Sequence, residues 1–429
     1  MTHSRPTNLD LSTRLRQALT PAQGRLLRSV AEEAARLHMP LYIVGGFVRD
    51  VLLGYPGLDF DLVVEGDAIG LARAVAAKQG GKVTVHTRFK TAQWFPPPTN
   101  GFPKFLDITS ARSEVYKHPA ALPTVSPGTL TEDLRRRDFT INTLALRLDG
   151  EHYGELREET GGLEDLHAGV VRVMDSSSFV DDPTRLFRMI RYEQRYGFEI
   201  ASETLALVPA ALPLIDHLSA ERVRHELDLI LEEENAALIL NRLEKFGILT
   251  AVHPAMGWNH VSQTRFVNGL AAAQALGHPP SRRMLGWSLW LMAVPRLGLE
   301  SIEKRLHFES GLRDMLQAAS ALFADVNFLA HKKNSRCVAA LDDIPLAAVQ
   351  AVFLALPAGP ERLALQSYLE TWRHVKPKTT GHDLKNRGLP PGPEYKIIMR
   401  RLREAWLDEE VKTIEEEKIL LDKLIKSYK

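Results

Sequence analysis

The sequence predicts an α+β chain in which a small mixed-sheet head is followed by a long, mostly helical body. Three observations carry that expectation. Short apolar runs of strand character alternate with helical stretches over a head of roughly 120 residues. From Thr184 onward no strong strand signal remains, and apolar residues recur at three- and four-residue spacing. At 429 residues the chain is too long for one core and divides into several domains.

The elements follow in order. Residues up to about 37 are rich in Ala, Leu, Arg and Glu and read as helix, and 40–44 is a buried strand that ends in Gly45-Gly46. A helical turn begins at Arg49. Residues 58–64 form the next strand, 68–78 an alanine-rich helix, and 82–85 and 105–108 two further strands. Residues 113–131 carry Pro119, Pro123 and Pro127 with little periodicity and read as a long loop, which inside a compact domain is usually functional or mobile. Helical spacing then runs through 186–196, 222–231, 236–246, 312–328 and 346–356. Lys376-Pro377-Lys378 is the final break, because proline disfavours helix at the residue before it. A charged amphipathic helix over 411–425 closes the chain.

Composition excludes several classes. With 45% hydrophobic and 25% charged residues the chain is ordinary for a globular protein. Its one cysteine, Cys337, leaves no internal disulfide framework or multi-cysteine zinc site, which suits a reducing cytoplasm. The longest strongly apolar run, 285–295, is too short to cross a bilayer, and the polar N-terminus lacks the apolar core of a signal peptide. No membrane partner is expected. The net charge of +1 hides a local imbalance, because residues 373–403 hold nine Lys or Arg against two acids. Such a stretch is either a solvated helix face or a footprint for a polyanion.

Chemistry centres on Asp59 and Asp61. Residues i and i+2 of a strand point the same way, so both carboxylates project from one side. Mg²⁺ takes such hard oxygen ligands and keeps waters and substrate phosphates in its other positions. Gly45-Gly46 is either a plain turn or a place where backbone N–H groups and the following helix approach a phosphate. Arg49 would then reach the phosphate, and Asp50 would orient the backbone or a neighbouring arginine. Asp107, the lone charge of its strand, either caps the next turn or adds a third carboxylate. Three carboxylates from adjacent strands suit two-metal nucleotidyl transfer.

Two basic segments add to this. In Arg135-Arg136-Arg137-Asp138-Phe139-Thr140-Ile141-Asn142 the arginine run reads as an electrostatically poor helix start, which favours a functional role. Arg137 and Asn142 suit phosphate and ribose hydroxyls, while Asp138 accepts from a sugar or fixes Arg137. In the second segment Asp181 or Asp182 caps a helix with Pro183 in its first turn, and Arg185, Arg188 and Arg191 recur every three residues. Three arginines on one face repel unless an anion lies along them or carboxylates answer them. Asp182 accepts and Arg185 donates, so the pair can match the edge of a base.

Taken together, Gly45-Gly46-x-Val48-Arg49-Asp50, Asp59-x-Asp61, Arg136 to Asn142 and Asp181-Asp182-x-x-Arg185 resemble the class II tRNA nucleotidyltransferases, the bacterial group of CCA-adding, CC-adding and A-adding enzymes and related poly(A) polymerases. The motifs keep the family's order and approximate spacing. The resemblance implies a catalytic head (1–150), a helical neck with the base-selecting helix (151–275), a helical body (276–375) and a tRNA-binding tail (376–429), elongated in arrangement. It implies catalysis by Asp59, Asp61 and Asp107, with Mg²⁺ on Asp59 and Asp61. Nucleotide contacts would come from Gly45, Gly46, Arg49, Arg137, Asp138 and Asn142, and from Asp181, Asp182, Arg185, Arg188 and Arg191. Lys385, Arg387, Lys396 and Arg400 would meet tRNA. The implied activity is template-independent addition of AMP from ATP to the tRNA 3′ end, with CMP from CTP as well in the CCA-adding branch.

Residues 62–68, with His86, Phe89, Thr91 and Ala92, are similar to the A-adding branch and to some CCA-adding members. Asp181 stands where many CCA-adding members carry Glu. A CC-only enzyme resembles this chain least, because that class typically lacks part of the loop spanning 113–131. The rivals are a poly(A) polymerase, whose C-terminus is commonly strongly basic where this one carries Glu415-Glu416-Glu417, and a non-catalytic RNA-binding relative. The sequence leaves the oligomeric state open.

Overall fold

Seven short strands form the floor of the head. The computed structural model describes residues 11–55, 61–98, 101–121 and 123–427. The chain divides into two compact units, Met1–Arg222 with Phe246–Ala251, and Val223–Lys245 with Val252–Lys429.

In the first unit the N-terminal helical stretch is two helices, α1 (Ser12–Ala18) and α2 (Pro21–Arg36). The break is local chemistry: Thr20 and Gln23 form a reciprocal capping box, with Pro21 in the first turn. Then come β1 (Leu41–Val44), α3 (Gly46–Leu53), β2 (Asp61–Val64), α4 (Ala68–Gln79), β3 (Lys82–His86), β4 (Thr91–Phe95) and β5 (Leu106–Ser110). Residues 58–60 of the expected second strand lie outside the described residues. β6 (Arg112–Val115), β7 (Thr124–Pro127), α5 (Leu130–Arg135), β8 (Ala145–Arg147), β9 (Leu156–Arg157), α6 (Gly162–Ala168), α7 (Ser178–Asp181) and α8 (Arg185–Tyr196) follow.

The main sheet runs β3-β4-β5-β2-β1-β8-β9. Only β2 and β5 pair parallel within it, so the sheet is mixed. One face, with Tyr42, Val44, Val63 and Ala145, packs on Ala111, Leu130 and Leu134. Leu41, Ile43, Leu62, Val64 and Ile108 of the alternate positions are fully buried as well. Burial on both faces explains why β1 and β2 read as unbroken apolar runs.

Three features depart from the expectation. β4, β8 and β9 are additional strands. The stretch expected as a loop from 113 to 131 holds an antiparallel ribbon, with Arg112 opposite Pro127 and Val115 opposite Thr124. A two-residue ladder, Val170–Val171 beside Glu199–Ile200, places a short strand beyond Thr184.

The second unit is helical. Its aromatic core stacks Trp287 on Trp290 with ring centroids 5.4 Å apart, and the Trp287 indole N–H donates to Asp228 Oδ1 at 2.7 Å. Near the C-terminus, helices Gly381–Asn386, Pro393–Leu407 and Ile414–Lys426 close on their own cluster of Leu384, Leu389, Ile398, Leu402, Leu421 and Ile425. Among the described residues no single helix is long and apolar enough to cross a membrane.

Candidate active site

The site is built where β1 ends. Antiparallel pairing sets Val44 opposite Asp61, so the turn after β1 meets the first residue of β2. Gly45 takes φ +71°, and a Cβ there would lie 2.6 Å from Arg137 Nη1. Only glycine meets both demands. α3 starts directly after it, and Gly46 lines a cavity of about 560 Å³.

Alternation along β2 and β5 sends Asp61, Val63, Asp107 and Thr109 into that cavity. Asp61 is exposed and Asp107 half-buried. Carboxylates on neighbouring strands that open onto one cavity are the hard oxygen donors a divalent cation takes. Asp59 lies outside the described residues, and among those described no group of three or more His, Cys, Asp or Glu is arranged to hold a metal. As two oxygen donors on one cavity wall, Asp61 and Asp107 suit a cation that draws its other ligands from water and substrate.

Arginines make up much of the remaining wall: Arg112, Arg136, Arg137, Arg185 and Arg188. Their charges are organised by buried acids. Glu114 Oε1 accepts from Arg136 Nη1 at 2.9 Å and lies 3.0 Å from Arg112 Nη2, while Tyr116 donates its hydroxyl to Oε2 at 3.0 Å. Asp133, fully buried, accepts from Arg136 at 2.7 Å and from Arg137 at 3.0 Å. Arg135 to Arg137 thus end α5 rather than begin a helix, and cations favour a helix C-terminus. The expected electrostatic awkwardness does not arise. Arg137 Nε is buried with no hydrogen-bond partner among the described residues.

Asp138 Oδ1 accepts from Asn142 Nδ2 and from the Phe139 N–H, each at 2.9 Å, and Oδ2 lies 2.7 Å from Arg188 Nη2. Asp133, not Asp138, fixes Arg137. Burial pushes the Asp138 carboxyl up, but Arg188, the Asn142 amide, Arg185 and the Phe139 N–H outweigh it and hold it below the usual carboxylate range.

α8 begins at Arg185, and neither preceding aspartate caps it through its side chain. Asp182 instead accepts the Thr184 N–H at 2.9 Å, closing a local turn before the helix. The same Oδ1 accepts from Arg222 Nη2 at 2.6 Å, and Arg222 Nη1 donates to the Ala120 carbonyl at 3.0 Å. Arg185 donates to the Arg136 carbonyl at 3.0 Å and to Ser178 Oγ at 2.5 Å. Asp182 and Arg185 both line the cavity that holds Asp61 and Asp107.

Comparison with known proteins agrees with this geometry. Residues 41–172 match a family described as the Poly A polymerase head domain, and 197–258 match one described as the probable RNA and SrmB-binding site of polymerase A. An A-adding tRNA nucleotidyltransferase of Halalkalibacterium halodurans is 33% identical over 393 residues, 89% of this chain and 88% of that protein. The chain belongs to the tRNA nucleotidyltransferase family. The structure of a Thermotoga maritima CCA-adding enzyme complexed with tRNA is similar at TM-score 0.78 and 27% identity, over 98% of this chain and 99% of that one. A CCA-adding enzyme with ATP is similar at TM-score 0.80 and 28% identity, over the same shares.

This nucleotidyltransferase does not place every expected residue on the cavity wall. Gly46, Asp61, Asp107, Arg137, Asp138, Asn142, Asp182, Arg185 and Arg188 line it. Arg49 does not, and is 3% exposed. Its guanidinium donates to Asn142 Oδ1 at 2.5 Å and Asp50 Oδ1 at 2.9 Å, and lies 5.0 and 4.6 Å from the Tyr192 and Tyr196 ring centres. Arg191 is buried against Tyr192, and half-buried Asp181 accepts from Ser177 Oγ at 2.8 Å. Lys385, Lys396 and Arg400 are exposed near the C-terminus, whereas Arg387 pairs with Asp422. Thr109, Arg112, Glu114, Tyr116 and Tyr192 line the cavity without having been singled out, and Thr91, noted for its similarity to the A-adding branch, lines it as well.

Proposed function

We propose that this nucleotidyltransferase transfers AMP from ATP to the 3′ end of tRNA and releases pyrophosphate. The observation that carries the proposal is that Asp61 and Asp107 share one cavity with Asp182 and Arg185, so one bound nucleotide can meet carboxylates and a base-reading pair together. Its volume of about 560 Å³ suits a nucleotide-sized ligand.

Gly46 and Arg137 hold the triphosphate, and Asn142, anchored between Asp138 and Arg49, faces the ribose. Asp61, Asp107 and Asp59 would hold Mg²⁺, which when bound supplies charge to neutralise the leaving pyrophosphate and acidify the attacking hydroxyl. The tRNA 3′-oxygen loses its proton and bonds to the α-phosphorus as the bond from that phosphorus to the pyrophosphate oxygen breaks. Adenine presents an amino donor beside a ring-nitrogen acceptor, which Asp182 and Arg185 complement; cytosine presents the same order, and uracil and guanine the reverse. Arg188, beside Asp138, lends charge to the same wall. Lys385, Arg387, Lys396 and Arg400 meet the tRNA backbone, in a reducing cytoplasm that suits the single cysteine.

Similarity to an A-adding enzyme over most of the chain supports AMP-only addition. Likeness to CCA-adding structures supports a second reading, completion of the whole CCA end. Labelled CTP and ATP offered with three tRNA transcripts, ending before CCA, after C and after CC, test both. AMP addition only to the transcript ending in CC identifies an A-adding enzyme, and completion of all three identifies a CCA-adding one. No incorporation into any of them contradicts both readings.

A further inference from the structure

A second cavity, of about 490 Å³, lies against α1 and α2 and shares no lining residue with the first. Arg16 of α1 and Arg25 and Arg28 of α2 line it together with Thr20, Leu148 and Tyr153, and among the described residues no carboxylate does. Arg14, Arg73 and Arg135 of the same unit also have no hydrogen-bond or ion-pair partner among the described residues, but other arginines are paired within the unit. There, Arg36 is answered by Glu33, Arg112 and Arg136 by Glu114, Arg147 by Asp149, Arg157 by Glu155 and Arg172 by Asp165. Arg25 and Arg28 have no hydrogen-bond or ion-pair partner among the described residues, and Arg16 donates only to the hydroxyls of Ser12 and Thr13.

The three charges converge. Arg25 and Arg28 stand three residues apart on one helix face, where like charges repel. Burial raises the Tyr153 hydroxyl pKa, and Arg16 and Arg28 pull it the other way, so both guanidinium groups act on that phenol. Thr20 opens the 16-residue α2, whose positive end adds to the same field. Three cations around one hollow, with no acid partner among the described residues, are an arrangement that an anion relieves, and planar guanidinium groups match phosphate oxygens.

We infer that this cavity is an auxiliary RNA-backbone site, in which Arg16, Arg25 and Arg28 hold phosphodiester groups of the tRNA outside the nucleotide cavity. The inference rests on tRNA being the substrate. RNA is favoured over a free nucleotide because the cations are spread over two helices and the lining has no buried acid and arginine pair to read a base. Phosphate contacts need only cations and release counterions when they form.

The test uses the full chain and a tRNA transcript ending in CC, with binding followed by fluorescence anisotropy across a salt series. Arg25→Ala with Arg28→Ala is expected to weaken binding and to reduce the slope of log K against log salt by about 1.4 to 1.8, two contacts' worth. Arg25→Lys with Arg28→Lys is expected to restore most of the slope. Melting temperature and the rate of AMP addition at saturating tRNA should stay at the wild-type values, because both side chains are exposed and neither lines the nucleotide cavity. A wild-type slope in the alanine variant overturns the inference, and if ATP or pyrophosphate binding falls at the same time, the site takes free phosphate anions instead. Failure of the wild-type protein itself to bind and extend tRNA is a separate outcome that removes the substrate reading before any variant is made.

Discussion

Arg188 Nη2 lies 2.7 Å from Asp138 Oδ2, and that ion pair ties α8 to the segment that carries Asn142. Asp138 is 6% exposed and also accepts from Asn142 and the Phe139 N–H. Its carboxyl is held below the ordinary range against the upward push of burial. A depressed carboxylate stabilises the fold above its unfolded pKa of about 3.9, and that contribution is lost as pH falls through the folded value. Asp138→Ala should cost about 3 kcal/mol, since it strands a charge and two donors. Urea unfolding between pH 2 and 6 checks both points. Wild type should lose stability with acid more steeply than Asp138→Asn, and parallel curves would contradict the assigned ionisation.

Asp61→Ala and Asp107→Asn should each lower nucleotide incorporation at least about a hundredfold, the scale of losing a group that organises charge in a transition state. Asp61 is exposed, so its removal should leave stability within about 0.5 kcal/mol. Incorporation assays beside thermal melts separate the two effects, and a melt that collapses with the activity would make the carboxylate structural.

Asp182 and Arg185 should govern which nucleotide is used. Arg185→Ala is expected to erode discrimination of ATP over UTP by about 1–3 kcal/mol, read as the ratio of kcat/KM values. Arg222 holds Asp182 Oδ1, so Arg222→Ala should loosen the same selectivity while Arg222→Lys recovers part of it. Unchanged ratios in both variants would remove the base-reading role.

Glu417 should staple the C-terminal helices together. It is 1% exposed and accepts from the Lys378 N–H at 3.0 Å, the Thr379 N–H at 2.6 Å, the Thr379 hydroxyl and the Trp406 indole. Glu417→Ala leaves those donors unmet and should cost about 2–3 kcal/mol locally. Hydrogen exchange should rise in Gly381–Asn386 and Ile414–Lys426, and wild-type protection there would contradict the staple.

The legible parts of the fold were those whose local signal matched their final environment. β1 and residues 62–64 of β2 announce themselves as apolar runs because both faces are covered there, and β5 does so by its buried Leu106 and Ile108 around the lone charge of Asp107. β4 reads Thr-Ala-Gln-Trp-Phe, whose Thr, Trp and Phe favour strand and offered a signal that went unused, whereas β9 is two residues long and owes its strand state to pairing with β8. Pro119, Pro123 and Pro127 masked the ribbon, although Pro127 sits at the last position of β7, where an edge strand tolerates it.

At the site, the glycine turn and the placement of Asp61 and Asp107 on one cavity were legible because turn and strand geometry are local. Asp133 and Glu114 were not, because a buried acid that organises distant arginines looks in sequence like any solvated charge. Arg49 has the chemistry of a phosphate ligand, yet Asn142, Asp50, Tyr192 and Tyr196 enclose it, and only the tertiary fold reveals that.

The most direct test of the central claim is single-turnover AMP incorporation from ATP into a tRNA ending in CC, with pyrophosphate release followed in the same reaction, by wild type and Asp107→Asn. Wild type should add one AMP per pyrophosphate released, and the variant should bind tRNA with unchanged affinity but add almost none. Incorporation by the variant at the wild-type rate would place the chemistry outside the cavity that Asp61, Asp107, Asp182 and Arg185 share.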